Sequence, residues 1–151
     1  MKKRTLISVV MLLAVSTFVL VNFSSCKPAG KNIGLQLYSI RDSINNDVPA
    51  AIAKVADMGY TFVEPAGYRD GKFYGMDPVE FKALCEENGM HVLSSHTSRN
   101  LPDSTNYEET MAWWDQCIDA HVAAGAKYIV QPSMGRSAYE SIENIGKWCA
   151  Y

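Results

Sequence analysis

One pattern of apolar and polar positions returns three times along this chain. From Asp47 to Met58 the apolar residues Val48, Ala51, Ile52, Val55 and Ala56 recur at helical spacing, and the run stops at Gly59. Tyr60-Thr-Phe-Val-Glu64 follows, a short apolar run that ends on a carboxylate. Asp77 to Asn88 repeats the helical spacing and stops at Gly89, and Met90-His-Val-Leu-Ser-Ser-His96 then ends on an imidazole. A third helical segment opens near Asn106, carries Met111, Trp114, Ile118 and Val122, and stops at Gly125 before Ala126-Lys-Tyr-Ile-Val-Gln131. Each unit reads as an amphipathic helix, a left-handed glycine that ends it, a buried strand and a polar residue at the strand's end.

Ile33-Gly-Leu-Gln-Leu-Tyr-Ser-Ile40 is apolar enough, and the right length, to be a strand ahead of the first unit. A fourth helix opens at Ser137-Ala-Tyr-Glu140 and carries Ile142, Ile145 and Trp148. Asn46 or Asp47 can cap the first helix, with Pro49 tolerated in its first turn, and Asp77-Pro78-Val79-Glu80 forms a capping box for the second.

Strands that are nearly continuous apolar runs, separated by helices, predict an α/β fold whose parallel sheet is buried on both faces. The glycines fall at 59, 89 and 125, a spacing that suits a doubly wound sheet or a (β/α)₈ barrel. Two features favour the barrel. Ser39-Ile-Arg-Asp42 stands where a glycine-rich phosphate loop would follow the first strand, and every strand end is polar: Gln36 and Tyr38, Glu64, His96, Gln131. Eight units need roughly 250 residues, so 151 residues hold about four, a half barrel. Such a chain is expected to be a fragment of a longer protein, or else to need a second copy to close the ring.

Composition agrees with a globular domain, 48% hydrophobic and 20% charged. Residues 1–25 are different in kind. Met1-Lys-Lys-Arg4 is a basic start, Leu6 to Val21 an apolar stretch, and Phe23-Ser-Ser-Cys26 ends it, which is the layout of a secretory signal. Small residues before the cysteine resemble a bacterial lipobox, which implies lipidation of Cys26, a membrane contact through that lipid, and an exported periplasmic or outer-membrane lipoprotein. The organisation is then 1–25 signal peptide, 26–31 lipid-anchored tether and 32–151 barrel half. Losing residues 1–25 removes Lys2, Lys3 and Arg4 and takes the formal charge from −2 to −5, an acidic surface that disfavours nucleic acid as a partner. Cys85 and Cys117 fall on apolar helical faces and read as small buried hydrophobes, while Cys149 is left open.

Taken as a set, Ile33-Gly-Leu-Gln-Leu-Tyr-Ser-Ile-Arg-Asp42, Gly59-Tyr-Thr-Phe-Val-Glu64, Gly67-Tyr-Arg-Asp-Gly-Lys-Phe-Tyr-Gly75 and Val92-Leu-Ser-Ser-His96 resemble the xylose isomerase-like TIM barrels. These are the sugar phosphate isomerases/epimerases, and the style is that of their exported lipoprotein members. The resemblance implies a carbohydrate isomerase or epimerase acting beside a sugar carbonyl, or a lyase or hydratase on a keto-sugar. It also implies one divalent metal (Mn, Mg, Co or Zn) held by Glu, Asp, His and Glu on later strands. Those strands would follow Tyr151, so no metal ligand is expected in this chain. The alternative is a non-catalytic half barrel that binds sugar weakly or persists as a dimer.

Within that frame Glu64 and His96 are the candidate catalytic residues. A carboxylate at a strand end needs a task or a partner, so Glu64 binds sugar hydroxyls, tunes a proton transfer, or simply pairs with a neighbour. His96 can orient a substrate oxygen or relay a proton near neutral pH. Candidate substrate-binding residues are Gln36 and Tyr38 at the end of the first strand, Arg41 just past it, Tyr68 and Phe73 in the glycine-flanked aromatic loop 68–75, and Gln131. The aromatic faces could stack on a sugar ring and Arg41 could grip an anion. His91 and His121 read as structural, Trp114 as core and Trp113 as its edge.

Overall fold

The structure is a computed structural model and describes residues 32–150. The expected signal peptide, the expected lipidation at Cys26 and the expected tether fall on residues 1–31, which lie outside the described residues. In chain order come β1 (Gly34–Gln36), a 3-10 turn (Leu37–Ile40), α1 (Arg41–Asn46), α2 (Val48–Asp57) and β2 (Phe62–Glu64). A hairpin of β3 (Tyr68–Arg69) and β4 (Lys72–Phe73) precedes α3 (Pro78–Glu87), β5 (His91–Val92) and β6 (Ser94–His96). Then follow α4 (Tyr107–Ala123), β7 (Tyr128–Val130), a 3-10 turn (Arg136–Glu140) and α5 (Ile142–Ala150).

The helix starts are where side-chain chemistry puts them. Asp47 accepts from the Ala50 N–H at 3.0 Å and Asp77 from the Val79 N–H at 2.9 Å. Each such cap contributes about 1 kcal/mol. Gly59, Gly89 and Gly125 end the three units with φ of 91°, 73° and 81°, a backbone region closed to most side chains.

All strands of the arc run parallel. β1 lies beside β2 with Gln36 opposite Glu64, and β2 lies beside β5 with Val63 opposite Val92. β6 lies beside β7 with Ser94 opposite Tyr128 and His96 opposite Val130. β5 and β6 are two halves of the expected third strand, interrupted at Leu93. The path along β2 continues past the break, because the Leu93 N–H reaches Val63 O at 3.1 Å and the His96 N–H reaches Pro65 O at 2.8 Å. On the other side the Lys127 N–H donates to Leu93 O at 2.9 Å. Sequential strands are therefore spatial neighbours throughout, with none of the order reversal of a doubly wound sheet. The result is an arc of barrel type.

Alternation along the strands separates two faces. Val63 and Ser95 are buried towards the helices, and their neighbours Phe62, Glu64, Ser94 and His96 are only half-buried on the other side. The core between strands and helices holds Leu37, Ile44, Ile52, Val55, Val63, Phe73, Phe81 and Cys85, all almost inaccessible. Burying one such side chain is worth roughly 1.5–3 kcal/mol.

Three expectations need correction. The first strand ends at Gln36, because Leu37 turns its side chain into the core and the chain coils into a 3-10 turn that carries Tyr38. Residues 68–75 form a hairpin instead of an open loop, with Tyr68 opposite Phe73. The buried face of α4 is Thr110, Cys117, Ala120 and His121, whereas Ile118 is 48% and Val122 69% exposed. The face carrying His121 wins because partners await it: the Thr97 hydroxyl at 3.2 Å and the Tyr68 and Phe73 rings at 4.9 Å. Among the described residues no helix is long and apolar enough to cross a membrane.

Candidate functional site

Register delivers three of the expected residues to one place. Gln36 ends β1, Glu64 ends β2 directly opposite it, and His96 ends β6 on the far side of β2. The Gln36 amide nitrogen donates to Glu64 Oε1 at 2.8 Å and lies 3.4 Å from His96 Nδ1. A carboxylate can only accept, so the Gln36 NH₂ must face it, and its second hydrogen then points at the imidazole. His96 Nδ1 is thereby an acceptor and Nε2 carries the proton. Nε2 has no hydrogen-bond partner among the described residues, so it is the nitrogen open to a ligand. The Ser94 hydroxyl donates to Glu64 Oε2. Ser94 was missed by sequence reasoning, although its position two residues before His96 on one strand puts both on the same face.

Electrostatics follow from these contacts. Partial burial pushes the Glu64 carboxyl pKa up, but the Ser94 and Gln36 hydrogen bonds and the nearby His96 outweigh it, leaving the group below its ordinary value. Glu64 is therefore a fixed anion near neutral pH, half open to solvent. Behind it the wall is packed closely. A Cβ on Gly34 would fall inside the Phe62 ring, so only glycine lets that ring lie across β1. Phe62 also meets the His91 ring at 5.7 Å.

The remaining expected site residues do not join this cluster. Tyr38 is exposed and carries Arg41 over its ring at 5.0 Å, the Arg41 Nη1 also donating to Tyr38 O at 3.4 Å. Phe73, expected to face substrate, is fully buried against Phe81 at 5.5 Å, because the hairpin turns it inward. Tyr68 is half-buried and packs its ring against Phe73, Trp113 and His121. Burial, followed by the neighbouring Cys117, pushes its phenol up to about 12. Gln131 clamps loops instead: its Oε1 accepts from the Arg99 N–H at 3.2 Å and its amide donates to Ser133 O at 2.7 Å. His121 is structural, as expected, with Nδ1 2.6 Å from Cys117 O and a pKa lowered by burial.

A divalent metal does not fit the cluster as it stands. It offers one carboxylate and one imidazole, both carboxylate oxygens already hold donors, and no three His, Cys, Asp or Glu groups converge among the described residues.

Parallel strands in sequential order, with polar groups meeting at their carboxyl ends, define an α/β-barrel type of protein and make the strand-end rim the candidate site. The comparisons with known proteins narrow this. The chain belongs to the xylose isomerase-like TIM barrel family, whose model matches residues 52–148. It is similar to two crystal structures of sugar phosphate isomerases/epimerases from Parabacteroides distasonis. One is 30% identical with a TM-score of 0.63, over 74% of this chain and 42% of the other. The second is 33% identical with a TM-score of 0.63, over 70% of this chain and 42% of the other. The chain thus spans less than half the length of either. No curated protein matches it.

Proposed function

We propose that this chain supplies the sugar-orienting wall of a carbohydrate isomerase or epimerase that moves a proton on the carbon beside a sugar carbonyl. The same first step would serve a lyase or hydratase acting on a keto-sugar. One observation carries the reading: a single amide, that of Gln36, ties the Glu64 carboxylate to the His96 imidazole at neighbouring strand ends. In this reading Glu64, held ionised, accepts from a sugar hydroxyl and fixes the ring. His96 presents Nε2–H to the carbonyl oxygen, where negative charge develops as the enediol forms, and donates its proton there, while the base that takes the proton from the neighbouring carbon comes from outside this cluster. The divalent metal that the family likeness implies would need ligands beyond this cluster, and no step here runs through it. The signal-like residues 1–25 and Cys26 support an exported, lipid-anchored protein, which meets free sugars and keto-sugars more readily than phosphorylated ones.

The test uses the chain from Lys27, free of lipid. A panel of aldoses, ketoses and keto-sugars is screened by ligand-observed NMR, and deuterium incorporation beside the carbonyl is followed in D₂O. Binding of at least one free sugar, weakened tenfold or more by Glu64→Gln, is the expected result. A folded chain that binds none of them and exchanges no carbon-bound hydrogen sinks the proposal.

A further inference from the structure

His121 is the largest buried polar side chain among the described residues, and it touches neither Glu64 nor His96. Its hydrogen bonds form a chain whose direction follows from counting protons. Nδ1 lies 2.6 Å from Cys117 O, a group that only accepts, so Nδ1 carries the proton. The Cys117 thiol lies 3.5 Å from the same nitrogen. Nε2 is then an acceptor, and the Thr97 hydroxyl 3.2 Å away must donate to it. That uses the one proton Thr97 has, so Ser95 donates to Thr97 Oγ1 at 3.1 Å. Ser95 and Thr97 are themselves buried. Burial of this kind lies between strands and helices and does not depend on what packs against the ends of the arc.

The chain of bonds ends beside the rim. Ser95 and Thr97 flank His96 in sequence, and their side chains take the core side while His96 takes the other. The backbone here is tied as well, the His96 N–H to Pro65 O at 2.8 Å and the Thr97 N–H to Val130 O at 3.0 Å. The hairpin that follows Glu64 rests its Tyr68 and Phe73 rings against the same imidazole, each at 4.9 Å. His121 thus joins α4 to both segments that carry the candidate catalytic residues. That joint matters because the Gln36 amide lies 3.4 Å from His96 Nδ1, long for a hydrogen bond. A displacement of β6 by a few tenths of an ångström undoes this contact, and His96 can then hold its proton on either nitrogen.

We propose that His121 is a positioning residue of the rim: by way of Thr97 and Ser95 it holds His96 against Gln36 and so keeps the His96 proton on Nε2. The two histidines are then neutral in opposite tautomers, His121 with its proton on Nδ1 and His96 with its proton on Nε2. The effect on sugar rests on the reading of His96 as the group that meets the sugar carbonyl, whereas the pair of tautomers does not.

The experiment uses the chain from Lys27 at pH 8, above the ordinary histidine pKa of about 6.5. Nitrogen–proton correlation spectra of the imidazoles read the tautomers, and D-xylose and D-fructose are titrated as probes. His121→Gln keeps an acceptor for Thr97, and His121→Leu removes it and strands the Thr97 hydroxyl. His121→Leu with Thr97→Val removes both partners, so no buried hydroxyl is left unpaired and thermal stability recovers without the link. In the wild type and the Gln variant His96 should carry its proton on Nε2. In both Leu variants it should be a mixture of tautomers, with sugar affinity lower by about tenfold or more. A stable double variant whose His96 keeps the proton on Nε2 overturns the proposal, since His121 would then only fill space. So does a wild type in which His96 carries its proton on Nδ1. A tautomer mixture with unchanged sugar affinity removes His121 from the function and leaves the sugar reading standing. The expected tautomers in a chain that binds neither sugar support the positioning and count against the sugar reading.

Discussion

Removing one hydroxyl, that of Ser94, tests how the rim carboxylate is held. The Ser94 Oγ and the Gln36 amide are the two donors on Glu64, and they keep its pKa below the ordinary value against the opposing effect of burial. A hydrogen bond to a charged group contributes about 1.5–3 kcal/mol. Glu64 is half-buried and water can replace part of the lost donor, so we expect Ser94→Ala to cost about 1 kcal/mol at pH 7. The sign with pH is fixed. A carboxyl whose folded pKa lies below its unfolded value stabilises above about pH 4.3, and that contribution disappears as pH falls through the folded value. Ser94→Ala should therefore lower the urea midpoint by roughly 0.5 M at pH 7, for a denaturant slope near 2 kcal/mol/M, and by less at pH 3. Urea titrations of both proteins at the two pH values are sufficient. An equal penalty at pH 7 and pH 3 would refute the reasoning, since Ser94 would then act through packing and not by holding a charge.

Other outcomes follow from the same structure. Gly34→Ala drives a methyl into the Phe62 ring and should cost about 1–3 kcal/mol, and Phe62→Leu in the same chain should restore most of it; additive losses in thermal unfolding would contradict the contact. Phe81→Ala, emptying a fully buried site against Phe73 and Tyr74, should cost about 3–5 kcal/mol in urea unfolding, and a loss under 1 kcal/mol would misplace the core. Burial lowers the His121 pKa, so protonation opposes folding: stability should fall as pH drops below about 6.5, and His121→Gln should flatten that slope between pH 7 and 5. With burial pushing Cys85 up to about 12 and Cys117 up to about 11, a thiol reagent should titrate Cys149 alone in the native chain from Lys27 and all three cysteines in urea.

Much of this architecture was legible without coordinates. The caps at Asp47 and Asp77, the left-handed glycines and the parallel strands all rest on local rules, because a cap or a φ > 0 residue acts on neighbours a few positions away. Period alone also put Gln36, Glu64 and His96 at strand ends. It was silent on Ser94, because a serine inside a strand gives no signal until its neighbour is known. Period likewise misassigned α4, whose sequence offers two workable faces: the apolar stripe through Trp114 and Ile118, and the buried one through Cys117 and His121. Only the hairpin carrying Tyr68 and Phe73, far away in sequence, chose between them.

What the sequence determined by itself was the repeating unit, its parallel sense and the residue types on its rim, since each is written within about 30 positions of chain. The tertiary structure decided which of those residues meet. Strand register set Gln36 against Glu64 and brought His96 beside them, while the hairpin took Phe73 and Tyr68 into the core and loop clamping took Gln131 out of the cluster. Contacts between residues 28 to 60 positions apart depend on how the strands align, and that alignment is a property of the folded arc, not of any one stretch of it.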